Sequence, residues 1–277
     1  MIHKIIEISE KTSKYGFTPK LTTYLLDTVE SDIDRPAVIV FPGGAYAGRS
    51  YREGERIAIA YNSAGFHSFV LDYSVAPHRY PQSLLDAANA IRYVRKHAEE
   101  WKIDKNKIVV VGFSAGGHLA ASISTLWDSE NVFAKEEIAS GLHKPNACIL
   151  AYPVITSGEK AHRGSFNNLL GENATEEMLK FLSLENRVTE KTAPTFLWHT
   201  YEDEVVPVEN SLLYATALSK HRVPCEMHIY PKGHHGLSRA SDETLWSIPI
   251  FPRKYDWLEQ SCEWIIDLFC LQKLYKN

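Results

Sequence analysis

Ser114 stands between two glycines in Gly112-Phe113-Ser114-Ala115-Gly116, directly after the apolar run Ile108-Val109-Val110-Val111 and before a helical pattern that starts at Gly117-His118-Leu119. A strand that reverses abruptly into a helix crowds the turn residue from both sides, and small residues two before and two after it make room. The spacing predicts a serine hydroxyl held out on a sharp turn, the place of a nucleophile. The following helix, with Leu119, Ile123, Leu126 and Trp127 on one face, would aim its free N–H groups and positive dipole end at negative charge forming beside that oxygen. The N–H of Ala115 is the first such donor. A capping serine without chemistry fits the same five residues, so its partners decide.

A serine hydroxyl is almost un-ionised at neutral pH and needs a base within hydrogen-bond reach, with a carboxylate to orient that base. The run Thr195-Phe196-Leu197-Trp198-His199 leads into Thr200-Tyr201-Glu202-Asp203-Glu204, and Cys225 to Tyr230 leads into Pro231-Lys232-Gly233-His234-His235-Gly236. Both loops follow strands, so a carboxylate (Asp203, flanked by Glu202 and Glu204) and a histidine (His234 or His235) fall at the carboxyl edge that also carries Ser114. Gly236 allows close approach there. The chain order is Ser, Asp, His. Upstream, Phe41-Pro42-Gly43-Gly44-Ala45-Tyr46 leaves an earlier strand, and its glycines would let backbone N–H groups reach a developing oxyanion. His118 and His199 are expected to be hydrogen-bonded structural histidines.

Positioning these residues requires a large sheet. Apolar runs at residues 2–8 and 21–27 alternate like antiparallel edge strands. They are followed by buried runs at 37–41, 66–71, 108–111, 147–152, 195–199 and 225–230, eight strands in all. Helical patterns over Ile57 to Ala64 and from Pro81 through Trp101 separate several of them, which predicts an α/β class: a mostly parallel sheet with helices on both faces. The connection from Pro153 to Pro194 is long and is expected to form a cap inserted in a single domain spanning 1–277.

With 277 residues, 44% hydrophobic, the chain can bury one large core. A net charge of −4 without a basic run argues against nucleic acid or a membrane surface as partner and favours a small molecule. Cys148, Cys225, Cys262 and Cys270 lack metal-ligand spacing, and Cys148 and Cys225 lie in runs that read as buried strands, so reduced core thiols are expected. The N-terminus has no apolar signal segment and no stretch has the length of a membrane span, the expectation being a cytoplasmic protein. The Asn173-Ala174-Thr175 sequon carries no weight in that setting.

The chain resembles the α/β-hydrolases over nearly its whole length. Asp72-Tyr73-Ser74-Val75-Ala76-Pro77, with Tyr80-Pro81 and Leu84-Leu85-Asp86, is similar to the DYRLAP stretch of hormone-sensitive-lipase-like esterases. The PGGAY, GFSAGGHLAAS, YPVIT and HHGLS segments resemble bacterial acetyl-esterase and acetylxylan-esterase-like proteins. The resemblance implies a triad of Ser114, Asp203 and His235, an oxyanion hole lined by Gly43, Gly44 and Ala115, and removal of short acyl groups, acetyl above all, from esters that include acetylated saccharides. One departure is clear: where those esterases carry HGGG, this chain has Pro42-Gly43-Gly44-Ala45. The chemistry requires no metal or organic cofactor. Tyr46, Tyr73, Tyr152, Trp127 and Trp198 fall near the active edge by topology and are candidates to hold a sugar ring or an acyl group. Arg49, Arg52, Glu53, His162, Arg163 and Ser165 are candidate polar contacts. An amide hydrolase with the same triad, peptidase or arylformamidase-like, and a silent binding protein are the alternatives.

Overall fold

Eight apolar or alternating runs form strands because β-branched and aromatic side chains pack well on a pleated surface. The computed structural model describes residues 1–9, 12–27, 33–172, 174–240 and 255–271, and Asn173 of the sequon lies outside them. Its strands are β1 (Ile2–Glu7), β2 (Lys20–Leu25), β3 (Arg35–Phe41), β4 (His67–Asp72), β5 (Ile103–Phe113), β6 (Ala147–Ala151), β7 (Thr195–Thr200) and β8 (Cys225–Tyr230). They make one eight-stranded sheet in the order β1-β2-β4-β3-β5-β6-β7-β8. The pairs β1/β2 and β2/β4 are antiparallel, and the rest are parallel. All eight expected strands are present, although β2 is an inner strand and only β1 forms that edge.

The helices are α1 (Glu55–Ser63), α2 (Gln82–Lys96), α3 (Ala115–Leu126), α4 (Lys135–Ser140), α5 (Arg163–Leu170), α6 (Glu176–Phe181), α7 (Glu209–Lys220) and α8 (Trp257–Leu268). Alternate residues of the central strands feed two separate cores. Ile39, Phe41 and Val110 pack with Leu84, Ile91, Leu119 and Tyr214 from α2, α3 and α7. Val38, Val40, Val109 and Val111 pack with Ile57, Tyr61, Trp257 and Ile265 from α1 and α8. None of these helices, among the described residues, is long and apolar enough to cross a membrane.

Two expectations change. The helix from Pro81 stops at Lys96 rather than Trp101, because residues 97–103 close into turns, with Ile103 N–H on the Ala98 carbonyl. Cys225 and Cys270 are exposed, not core thiols: β8 is the outermost strand and its start lies open, and Cys270 falls just past the end of α8. Cys148 is buried as expected.

Candidate active site

The turn at Ser114 is strained and held. Ser114 has φ 51° and ψ −118°, a conformation an L-residue keeps only when its surroundings impose it. They do so by close packing. A Cβ on Gly112 would collide with the Gly116 carbonyl, and one on Gly116 with the Phe41 carbonyl, so α3 can rise directly off β5 only with glycine at both places. The Ser114 N–H donates to the Ala151 carbonyl at 3.0 Å, and its own carbonyl accepts from His118 and Val154. Its side chain makes no capping bond; Oγ lies 2.8 Å from His235 Nε2 instead.

His235 follows β8, and its Nδ1 lies 2.7 Å from Asp203 Oδ2. A carboxylate can only accept, so Nδ1 carries the proton and Nε2 is free to accept from Ser114. Asp203 itself is 5% exposed and held in place by its loop, with Oδ1 accepting from the backbone N–H groups of Val205 and Val206 at 3.0 and 2.9 Å. Burial works to raise its pKa, but the bonds from His199, His235 and Val206 outweigh burial and hold the carboxyl well below the usual range. His199, at the end of β7, is fully buried. Its Nε2 donates to the Val206 carbonyl at 2.9 Å and lies 3.3 Å from Asp203 Oδ2, and its Nδ1 lies 2.8 Å from Ser211 Oγ. It is a hydrogen-bonded structural histidine that braces the loop carrying the carboxylate. His234 turns the other way, its Nδ1 2.5 Å from the His235 carbonyl oxygen. Glu202 and Glu204 stay exposed beside Asp203.

The glycine turn after β3 lies against this serine. Gly43 approaches so closely that a Cβ there would stand 3.0 Å from Ser114 Cβ. Its N–H is not an oxyanion donor, because it donates to Glu53 Oε2 at 2.8 Å. This corrects the expected donor pair: Gly44 and Ala115 remain, with no protein acceptor for either N–H among the described residues. Ala115 is the first residue of α3, whose N–H has no acceptor within the helix. The departure at Ala45 is tolerated, although Gly44, Ala45 and Tyr46 all have positive φ, at 134°, 54° and 56°. Hydrogen bonds on both sides fix the loop: Ser50 N–H to Gly43 O, Asn168 Nδ2 to Ala45 O, and Ala76 N–H to Tyr46 O. The Asp72 to Asp86 stretch braces it from beneath. Tyr73 donates to the Pro42 carbonyl at 2.5 Å, and Asp86 accepts from Ser74 N–H at 2.8 Å.

The aromatic candidates take other places. Tyr46 is 2% exposed and donates to His118 Nδ1 at 3.0 Å. Tyr152 is 1% exposed, and Trp198 is fully buried, stacked on Trp257 with centroids 5.0 Å apart. The expected ring-holding role of Tyr46, Tyr152, Tyr73 and Trp198 therefore gives way to packing and hydrogen bonding behind the site. Trp127 lies at the far end of α3, a 12-residue helix, so about 18 Å from Ser114. Arg49 pairs with Asp72 and the Tyr73 carbonyl. Glu53 is buried, turned inward rather than toward a ligand. His162, the cap of α5, bonds Ser165 Oγ at 2.8 Å, and burial first, then the charge of His235, lowers its pKa. The spacing offers Glu53, amid Arg52-Glu53-Gly54-Glu55-Arg56, as a polar contact to a ligand, whereas the structure turns it into a buried acceptor behind the site.

Comparison with known proteins agrees with this geometry. The BD-FAE family model matches residues 24–218. A protein named endo-1,4-beta-xylanase B from Butyrivibrio fibrisolvens is 41% identical over 239 residues, covering 83% of this chain and 36% of that protein. An acetylxylan esterase from Xylanibacter ruminicola is 32% identical over 207 residues, 73% of this chain and 41% of its own length. The chain thus spans well under half the length of these curated relatives. The crystal structure of an acetyl ester-xyloside bifunctional hydrolase from Caldicellulosiruptor lactoaceticus superposes with a TM-score of 0.85 at 41% identity, covering 96% of each chain. A strained serine turn on an eight-stranded α/β-hydrolase sheet and a match over most of the chain lead to one assignment: this protein is a member of the BD-FAE family.

Proposed function

We propose that this chain is a serine carboxylesterase that removes short acyl groups, acetyl above all, from hydroxylated substrates of the acetylated xylo-oligosaccharide class. The observation that carries the reading is the continuous chain Asp203–His235–Ser114, with links of 2.7 and 2.8 Å. Ser114 Oγ attacks the ester carbonyl carbon while His235 Nε2 takes its proton, and Asp203 stabilises the imidazolium. The tetrahedral oxygen takes up hydrogen bonds from Gly44 and Ala115, each worth roughly a hundredfold or more in rate. Collapse expels the alcohol, which leaves with the proton from Nε2. Water, deprotonated by the same nitrogen, attacks the acyl-serine, and the acid departs as Ser114 regains its hydrogen. No cofactor enters these steps.

Acyl transfer fits this site better than glycoside hydrolysis. The latter needs two carboxyl groups facing each other across the scissile bond, about 5–10 Å apart. Asp203 and Glu53 are instead buried and committed to internal hydrogen bonds. The sugar half of the substrate rests on the relatives' printed names. In the same reading residues 153–194 form a cap on a single domain, which the bond from Asn168 in α5 to the Ala45 carbonyl supports. A cytoplasmic setting and a small soluble partner are supported by four free cysteines and a net charge of −4.

Acetate release from acetylated xylo-oligosaccharides and p-nitrophenyl acetate, with longer acyl esters as controls, tests the proposal. Ser114→Ala should lower kcat by at least about 10⁴-fold with the fold retained, judged by circular dichroism. Faster turnover of aminoacyl anilides or N-formylkynurenine at matched concentrations would move the assignment to an amide hydrolase. A wild-type protein that forms no fluorophosphonate adduct at Ser114 would mark it as a binding protein.

A further inference from the structure

Glu53 is a carboxylate with 3% exposure, directly behind the site and on none of its reacting atoms. It ends the short 3-10 turn Tyr51–Glu53 that links the glycine loop to α1. Its two oxygens divide between two neighbours: Oε2 accepts the Gly43 N–H at 2.8 Å, and Oε1 accepts the Tyr152 hydroxyl at 2.7 Å. Tyr152 lies just past β6, with its ring edge-on to the His235 imidazole at 5.1 Å and 73°. Its oxygen also accepts the N–H of Ser238, three residues beyond His235, at 2.8 Å. One carboxylate therefore ties together the glycine loop, the end of β6 and, through Tyr152, the histidine loop.

Chemistry explains why the group is an acid. Gly43 N–H and Tyr152 O–H come from two different directions, and a carboxylate gives each its own acceptor oxygen while the Tyr152 oxygen takes Ser238 N–H. Burial pushes the Glu53 pKa up, while the bonds from Tyr152 and Gly43 and the nearness of His235 work against that shift.

We propose that Glu53 is a positioning residue for acyl transfer: by engaging the Gly43 N–H it aims the following Gly44 N–H at the oxyanion, and through Tyr152 it steadies the loop that carries His235. This rests on the reading of Ser114 as the nucleophile. Glu53→Gln preserves volume but presents an NH2 either to the Gly43 N–H or to the Tyr152 hydroxyl, a donor facing a donor in the first case. Misaiming one oxyanion donor in this way should lower kcat for p-nitrophenyl acetate by roughly a hundredfold with KM within about threefold. A merely structural role would lower the melting temperature and leave kcat of the folded enzyme unchanged, which would overturn the proposal. Glu53→Asp, which keeps both acceptors, should recover part of the loss. If Glu53→Gln does not fold, Tyr152→Phe decides: it removes one arm of the clamp, and unchanged kcat would overturn the proposal, while a fall of about tenfold or more at constant KM supports it. Ser114→Ala assayed alongside separates the two ideas. An active Ser114→Ala enzyme overturns the nucleophile, whereas a dead Ser114→Ala enzyme with an unimpaired Glu53→Gln enzyme overturns the clamp alone.

Discussion

Adjacent histidines in one loop meet opposite fates because one backbone step reverses the direction of the side chain. His235 bridges Ser114 and Asp203, while His234 points its Nδ1 at its neighbour's carbonyl. Replacing His235 by Ala should cost about 10⁴-fold or more in kcat/KM, and His234→Ala less than about tenfold; steady-state kinetics on p-nitrophenyl acetate distinguish them. A larger loss in the His234 variant would reverse their roles. Asp203 adds a second expectation. Its carboxyl titrates well below the usual range, so it stays ionised near pH 4, where an unperturbed Asp takes up a proton. The acid limb of kcat/KM should keep unit slope through that region, and a steepening there would show Asp203 titrating after all. At this scale the sequence carried the residue types and their order. Which histidine faces the serine, and that Glu53 turns inward, depend on side-chain directions that no spacing encodes.

The glycine loop shows how an element can depart from its expected residues and keep its shape. Three successive positive φ values run through Gly44, Ala45 and Tyr46, yet only the first is glycine. A left-handed alanine costs about 1–2 kcal/mol, and the bonds from Asn168 and Ala76 offset that strain. Ala45→Gly should therefore leave folding stability unchanged or raise it by up to about 1 kcal/mol, the relief of strain exceeding the added chain entropy. A urea midpoint lowered in the variant would contradict this account. Element types were legible because the central parallel strands are apolar runs and helices such as α2 carry an apolar stripe. Ends were less so: α2 stops at Lys96 although Trp101 continues its apolar spacing, since that ring packs beside His97 and Phe69 from a turn. Cys225 misled for a related reason, because an edge strand and an inner one share a composition when only neighbouring strands tell them apart.

Across the molecule, two buried histidines outside the triad tie stability to pH. His118 on α3 lies between elements distant in sequence: Nδ1 takes the Tyr46 hydroxyl at 3.0 Å, and Nε2 meets the Leu182 carbonyl at 2.9 Å. His67 on β4 accepts the Leu26 N–H through Nδ1 at 3.2 Å. A nitrogen that accepts holds no proton, so both rings are neutral, and burial, the first cause in each case, lowers their pKa from 6.5 to about 4. The unfolded chain takes up these protons first as pH falls. Folded stability is therefore fully present above about pH 6.5 and is lost progressively between 6.5 and 4. For His118 alone the linkage gives about 2 kcal/mol lost between pH 7 and pH 5. His118→Gln keeps a side-chain N–H for the Leu182 carbonyl but cannot titrate. Urea denaturation at the two pH values should show the wild type losing about 2 kcal/mol more than the variant, and equal losses would place the acid sensitivity elsewhere. Tyr46 follows the glycine loop and Leu182 sits in the 153–194 connection, so acid should loosen the joint between that loop, α3 and the insertion. Inhibition by mild acid would then combine protonation at the site with weakening of the frame that positions it.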